Sequence, residues 1–431
     1  MDTPDPSLSS ESIREQLTQQ WDRLETLVAR LPEPVAMQMR KNMDEIRKLF
    51  LEQRPPRLVL IGRRGSGKSS LVNAIFGQQK AAIGHTSSRT GAATWFTHTS
   101  EMGTMDVLDT RGLQEGSAPD EHDDAASPIA SIERALEARA PDAVIFVVKA
   151  KEIDSAIDAD IAGLSHLLEF VGRAHHFKVP VVAAITHCDE LEPKVVRLHE
   201  PEDEHPEDLA EKQARVADVE RLLRIKLKGH DAVRDSLVRV MGVSSYMSWR
   251  RDGSVRGDER WRVDELLGYL MHELPFEAQV EFARLSQVKA LQDSISERLI
   301  QIVAGCCGAL ALSPLPMADI VPITALQLSM IAGIAHLGGR DLSPKAAGEA
   351  LGAVGINVGA AVGLREVSRA LLRLIPGLGS VGSAAMAYAG TVGLGRAAVA
   401  HFIHGRLPEV VRGVFERDRK EARQRYVVPG S

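Results

Sequence analysis

Residues 62–69 read Gly62-Arg63-Arg64-Gly65-Ser66-Gly67-Lys68-Ser69, directly after the apolar run 58–61 and before a helical pattern over 69–76. The string fits GxxxxGK[ST], a loop that wraps phosphates. It confines this part of the chain to a strand, a glycine-rich turn and a helix. Glycines let successive backbone N–H groups point inward at a β-phosphate. The helix N-terminus adds partial positive charge. Lys68 is expected to reach the β- and γ-phosphates, and the Ser69 hydroxyl to ligate Mg²⁺. Gly62, Arg63, Arg64, Gly65, Ser66, Gly67 and Ser70 complete the expected phosphate-binding set.

Around this loop the chain falls into three zones. Residues 1–54 are polar with two apolar stripes at helical spacing: Ile13, Leu17, Trp21, Leu24, Val28 and Leu31, then Met39, Met43, Ile46 and Phe50. Such stripes each line one helix face. Ser12 and Glu15 suit a capping box, and Pro32 and Pro34 separate the stripes. A helical hairpin follows from this pattern.

Residues 55–275 alternate short apolar runs (58–61, 94–97, 105–108, 143–148, 179–185, 237–243) with helical stretches (69–76, 128–138, 157–176, 206–228, 264–272). Most runs lack strict alternation, as strands buried on both faces do. The expected fold is an α/β domain with a mostly parallel sheet. Residues 276–431 show no strand pattern, and 17 of the 35 glycines fall within 301–405. Short, closely packed helices are expected there, ending in a charged amphipathic helix from about Pro408. The expected domains are thus 1–54, 55–275 and 276–431.

Two later motifs choose the nucleotide. The run 105–108 ends in Asp109-Thr110-Arg111-Gly112, a DxxG about 40 residues after Lys68. Asp109 at a strand end suits Mg²⁺ held through water, and the Gly112 N–H suits a γ-phosphate sensor. The run 181–185 ends in Thr186-His187-Cys188-Asp189. Guanine presents N1–H and N2–H₂ side by side, and one carboxylate accepts both; adenine has no such pair. Asp189 is placed for this task. Val243-Ser244-Ser245 follows the last apolar run, where a backbone N–H and a small side chain would bracket the guanine O6. The expected ligands are GTP or GDP with Mg²⁺.

These motifs in this order resemble the Era-like branch of the translation-factor-related GTPases, with GKSSLVNAIFG at 67–77 especially similar. The resemblance covers residues 57–275. It implies hydrolysis of GTP to GDP and phosphate by a molecular switch. The spacing from Ile83-Gly84 to Thr90-Gly91 resembles the first switch of such proteins and makes Thr90 the expected Mg²⁺ ligand, ahead of Thr86. The final zone resembles a bacterial helical domain of unknown role that follows Era-like domains. The similar segments are Ser313–Asp319, Gln327–Ile331 and Ile375–Ser380.

Two positions depart from the family pattern. His187 stands where such proteins carry a Lys whose stem lies along the purine, and an imidazole stacks there as well. Leu113 follows Gly112 where many small GTPases have a water-orienting Gln, and Gln114 is one position late. Slow turnover without a partner or self-association follows. Arg64, beside the expected γ-phosphate, is the candidate arginine finger, acting within the chain or across a homodimer formed through the nucleotide face. The catalytic set is then Lys68, Thr90, Gly112 and Arg64, working with an unknown protein effector.

Composition excludes several classes. Net charge is −6, with no appended RNA-binding motif, so there is no strong nucleic-acid signal. The three cysteines, Cys188, Cys306 and Cys307, form neither a disulfide framework nor a metal site. The opening MDTPDPSLSSES lacks the basic and apolar regions of a secretory leader. A cytoplasmic location is expected. Residues 299–318 and 374–395 carry no charged residue, but Pro, Gly and Ala dilute their hydrophobicity. A folded helical domain, peripheral at the inner membrane face if it touches membrane at all, is therefore expected. A dynamin-like membrane GTPase and a GTP-dependent scaffold with little turnover are the alternatives.

Overall fold

A computed structural model describes residues 18, 21–22, 24–77, 93–100, 103–109, 128–153, 157–199, 206–312, 321–340, 344–354 and 381–426. Contacts gather the chain into two units: Pro55–Ser286, and Met1–Arg54 together with Gln287–Ser431.

In the first unit the apolar runs become a six-stranded sheet. Its strands are β1 (Arg57–Ile61), β2 (Trp95–Ser100), β3 (Gly103–Asp109), β4 (Ala143–Lys149), β5 (Val181–Thr186) and β6 (Leu237–Gly242), in the order β2-β3-β1-β4-β5-β6. β2 runs antiparallel to β3, and all other pairs are parallel. Every residue of β5 is buried, as expected for a strand covered on both faces. Polar β2 is the sheet edge. It is fastened by Thr97 Oγ1 donating to Asp106 (2.6 Å) and by the Trp95 indole N–H donating to Ala135 O (3.0 Å).

The helices of this unit are α1 (Lys68–Phe76), α2 (Pro128–Ala138), α3 (Ile157–His175), α4 (Pro206–Lys228), α5 (Asp231–Ser236), α6 (Val263–Glu273) and α7 (Phe276–Ser286). α7 packs on β3, where Glu281 accepts from the Thr104 N–H (2.7 Å). A small hairpin, β7 (Met247–Trp249) with β8 (Val255–Asp258), lies outside the six-stranded sheet. Its strands are too short and polar for the apolar-run criterion. The turn signal was there, however, in Asp252-Gly253, with Gly253 at φ 82°.

In the second unit, helix Glu33–Phe50 begins at an extended Pro32 cap with Pro34 in its first turn, where a missing N–H costs nothing. Its Glu45 pairs with Arg298 of helix Lys289–Leu312 (3.3 Å). Lys289–Leu312 also packs closely on Val381–Ala398, and that helix on Pro408–Arg425. Glycine sets these approaches: a Cβ on Gly395 would lie 2.3 Å from Ile300, and one on Gly393 3.0 Å from Phe415. The segment Lys289–Ala311 is long and apolar enough to cross a membrane, yet 72% of its apolar window is buried. Of the segments similar to the bacterial helical domain, only 327–331 falls among the described residues.

Candidate functional site

Parallel pairing puts the C-terminal ends of β1, β3, β5 and β6 at one edge of the sheet. Leu60 is level with Asp109, and Ile185 with Gly242. In open α/β sheets ligands bind outside these ends, at the point where strand order reverses. Here β1 is that point, with β3 on one side and β4 on the other.

The loop after β1 is shaped by its glycines. A Cβ on Gly62 would stand 2.2 Å from Val147 O, so only glycine fits. Gly65 and Gly67 adopt φ 77° and 89°, a region open to glycine without strain. The chain then enters α1 at Lys68. The Lys68 ammonium curls back to donate to Gly62 O (2.7 Å) and Arg63 O (2.9 Å). This holds a cation over the loop, whose N–H groups lead into the helix N-terminus. Arg63 Nε donates to Asp160 of α3 at 2.6 Å, while Arg64 is exposed. Burial raises the Asp160 pKa, and the Arg63 charge works against that. The Ser66 hydroxyl is buried with no partner. Ser69 follows Lys68 in the first turn, half-buried, with Ser70 exposed behind it.

The motif after β5 locks onto this loop. Thr186 Oγ1 donates to Ser66 O (2.6 Å), tying the end of β5 to the phosphate loop. That bond uses the hydroxyl proton, so His187 Nδ1, 3.0 Å away, is the donor to Thr186 Oγ1. His187 sits in the left-handed region (φ 58°), with Cε1 3.2 Å from where a Cβ on Gly67 would be. Burial first, and Lys149 second, push His187 below the ordinary histidine range; Glu190, Asp189 and Glu152 pull the other way. Cys188 turns inward to donate to Ile185 O (3.3 Å), leaving Asp189 half-exposed on a tight turn. Burial opposes ionisation of the neighbouring Glu190. Lys149 (3.6 Å) and Lys151 (3.5 Å), with His187, nevertheless hold its carboxyl below the usual range.

After β6, Ser244 forms a two-way backbone bridge with Trp261 (3.1 and 2.9 Å), and the Val243 N–H donates to Ile185 O (2.8 Å). Ser244 and Ser245 are buried, and the Ser244 hydroxyl has no partner. Buried polar atoms are normally paired, so two unpaired hydroxyls, Ser66 Oγ and Ser244 Oγ, suit a polar ligand. Among the sequence candidates, Gly62–Ser70, Thr186, His187, Asp189, Ser244 and Ser245 thus come to one edge. Asp109 ends β3 at the same edge; Thr90 and Gly112 lie outside the described residues. Sequence reasoning missed Asp160, Lys149, Lys151 and Glu190. These are ordinary charged residues on α3, at the end of β4 and in the turns beyond β4 and β5, with no spacing that marks them.

Residues 57–185 match the family described as 50S ribosome-binding GTPase. This segment is a P-loop GTPase domain. Among curated proteins, none is significantly similar to the chain. Solved structures similar to the chain include a dimerization-deficient R130A mutant of Toc33 from Arabidopsis thaliana, at 14% identity and TM-score 0.32, over 57% of this chain and 95% of that one. A probable GTP-binding protein engB has 14% identity and TM-score 0.29, over 50% and 97%. The FeoB G-domain from Methanococcus jannaschii has 17% identity and TM-score 0.26, over 51% and 98%.

Proposed function

We propose that the chain is a guanine-nucleotide switch that hydrolyses GTP to GDP and phosphate and passes its state to the helical unit. The Thr186–Ser66 bond carries this reading. It fastens the phosphate loop to the base motif, so one nucleotide meets both. Lys68 and the N–H groups of Gly62–Ser70 hold the phosphates. Asp189 accepts the two guanine donors, His187 lies along the base, and Ser244 and Ser245 face O6. Ser69, Thr90 and Asp109 hold Mg²⁺, which when bound offsets charge on the β- and γ-phosphates. Gly112 reports the γ-phosphate, and Arg64, exposed beside the loop, is the finger.

Within the P-loop GTPases the run 67–77 supports an Era-like assignment. The protein acts in the cytoplasm on a protein effector. Membrane contact is peripheral, because the apolar helix Lys289–Ala311 spends most of its surface inside the unit. Competition binding of GTP against ATP tests the core of this reading. GTP should be preferred at least tenfold, and Asp189→Asn should lower GTP affinity while raising that for xanthosine triphosphate. Equal binding of ATP and GTP overturns the assignment.

A further inference from the structure

Helix α4 carries Lys212, Val216 and Glu220 at four-residue steps, which places them on one face. Lys212 is fully buried, and among the described residues its ammonium pairs with no carboxylate. Instead it donates to three backbone carbonyls: Asp189 O (2.7 Å), Val196 O (2.8 Å) and Pro193 O (3.3 Å). An ammonium has three N–H donors, so this set saturates it. All three carbonyls belong to the loop that begins at Asp189.

One turn on, Val216 packs against Gly242, where a Cβ would lie 2.6 Å from the Val216 methyl. A further turn on, Glu220 Oε1 accepts from the Gly242 N–H (2.7 Å) and from Arg262 Nη1 (2.7 Å). Gly242 is the last residue before Val243-Ser244-Ser245. Arg262 itself holds the left-handed conformation (φ 56°), uncommon for a side-chain-bearing residue, next to Trp261, which bridges Ser244. A single helix face therefore grips both loops that flank the base.

We propose that the Lys212–Val216–Glu220 face of α4 is a positioning device that sets the spacing of Asp189 against Ser244 and thereby sets guanine selectivity. It rests on the base site proposed above. Neither Lys212 nor Glu220 touches nucleotide. Each acts through backbone: Lys212 fixes the carbonyl of the residue that supplies the base carboxylate, and Glu220 fixes the strand end that supplies the O6 loop.

The test uses the full chain with GTP and inosine triphosphate, whose base keeps N1–H and lacks the 2-amino group. Asp189 can then accept only one of two bonds. Lys212→Met and Glu220→Ala should lower GTP affinity about tenfold to a hundredfold, the scale of a lost charged hydrogen bond. The GTP-to-ITP affinity ratio should fall toward one. Glu220→Gln keeps an acceptor for the Gly242 N–H and should retain most of the ratio. Leu227→Ala, a buried change elsewhere on α4, should cost stability while preserving the ratio. If Lys212→Met does not fold, the Glu220→Ala and Glu220→Gln contrast decides. Folded Lys212→Met or Glu220→Ala with an unchanged ratio overturns the proposal, as does an equal loss in Leu227→Ala. Wild-type protein that binds ATP as well as GTP overturns the base site itself.

Discussion

The two units use glycine for opposite purposes. In the α/β unit, Gly65 and Gly67 are there for their backbone, at φ 77° and 89° on the phosphate loop. In the helical unit, Gly393 and Gly395 lie within a regular helix and serve as empty space for Phe415 and Ile300. Gly62 of one unit and Gly338 of the other are the most alike. Each faces a backbone carbonyl, Val147 O at 2.2 Å and Phe402 O at 2.6 Å from an added Cβ. A glycine-rich stretch in a sequence is therefore ambiguous until its neighbours are known. One kind of glycine marks where a ligand comes close, the other where two helices do.

Gly62→Ala should produce the largest effect. Its methyl meets backbone that cannot swing aside, so about 3 kcal/mol or more of stability should be lost. GTP binding should be lost with it, as read by denaturation and nucleotide titration. Gly338→Ala should cost about 1–3 kcal/mol by the same clash, yet leave GTP affinity within about twofold. If Gly338→Ala abolishes nucleotide binding, the units are not separable in the way the comparison implies.

Arg64→Ala sharpens it further. Arg64 is exposed while Arg63 is engaged by Asp160. Turnover that rises with protein concentration should lose that rise in Arg64→Ala, with GTP affinity nearly intact. Concentration-independent turnover that Arg64→Ala leaves unaltered rules out the finger.

The smallest expected effect is a pH slope. Because the folded pKa of His187 lies below that of the unfolded chain, the unfolded state binds more protons just under pH 6.5. Stability of the nucleotide-free protein should be full above that pH and fall as acid is added through the window. His187→Gln should flatten this part of a urea-midpoint profile. An identical slope in that variant assigns the effect to other groups.

Much of the α/β unit was legible because its strands are short apolar runs between strong turn signals. The helix at 206–228 was expected at the bounds the structure gives, and β1 within a residue. The candidate site was legible where chemistry fixes residue type, as at Lys68 and Asp189, which the structure brings to the same end of the sheet. Lys212 was not, because a buried ammonium held by carbonyls looks, in sequence, like any polar helix residue. Nor did any local pattern say that Glu33–Phe50 packs with Lys289–Leu312. That pairing lives in side-chain fit, such as Asn42 against Gly305, and not in periodicity.

That same pairing has a consequence for the order of events in synthesis. Leu24, Val28, Met39, Met43 and Ile46 are buried in a unit whose other part begins only at residue 287. At about 5–20 residues per second, the intervening stretch takes tens of seconds to translate. By the end of that time the α/β unit has all its strands and can fold, while the early apolar stripes have waited without their partner. A chain made only as far as residue 290 and clear of the ribosome should thus carry an α/β unit complete in its strands together with an unsatisfied amphipathic helix. That is the stage at which a chaperone would find something to hold.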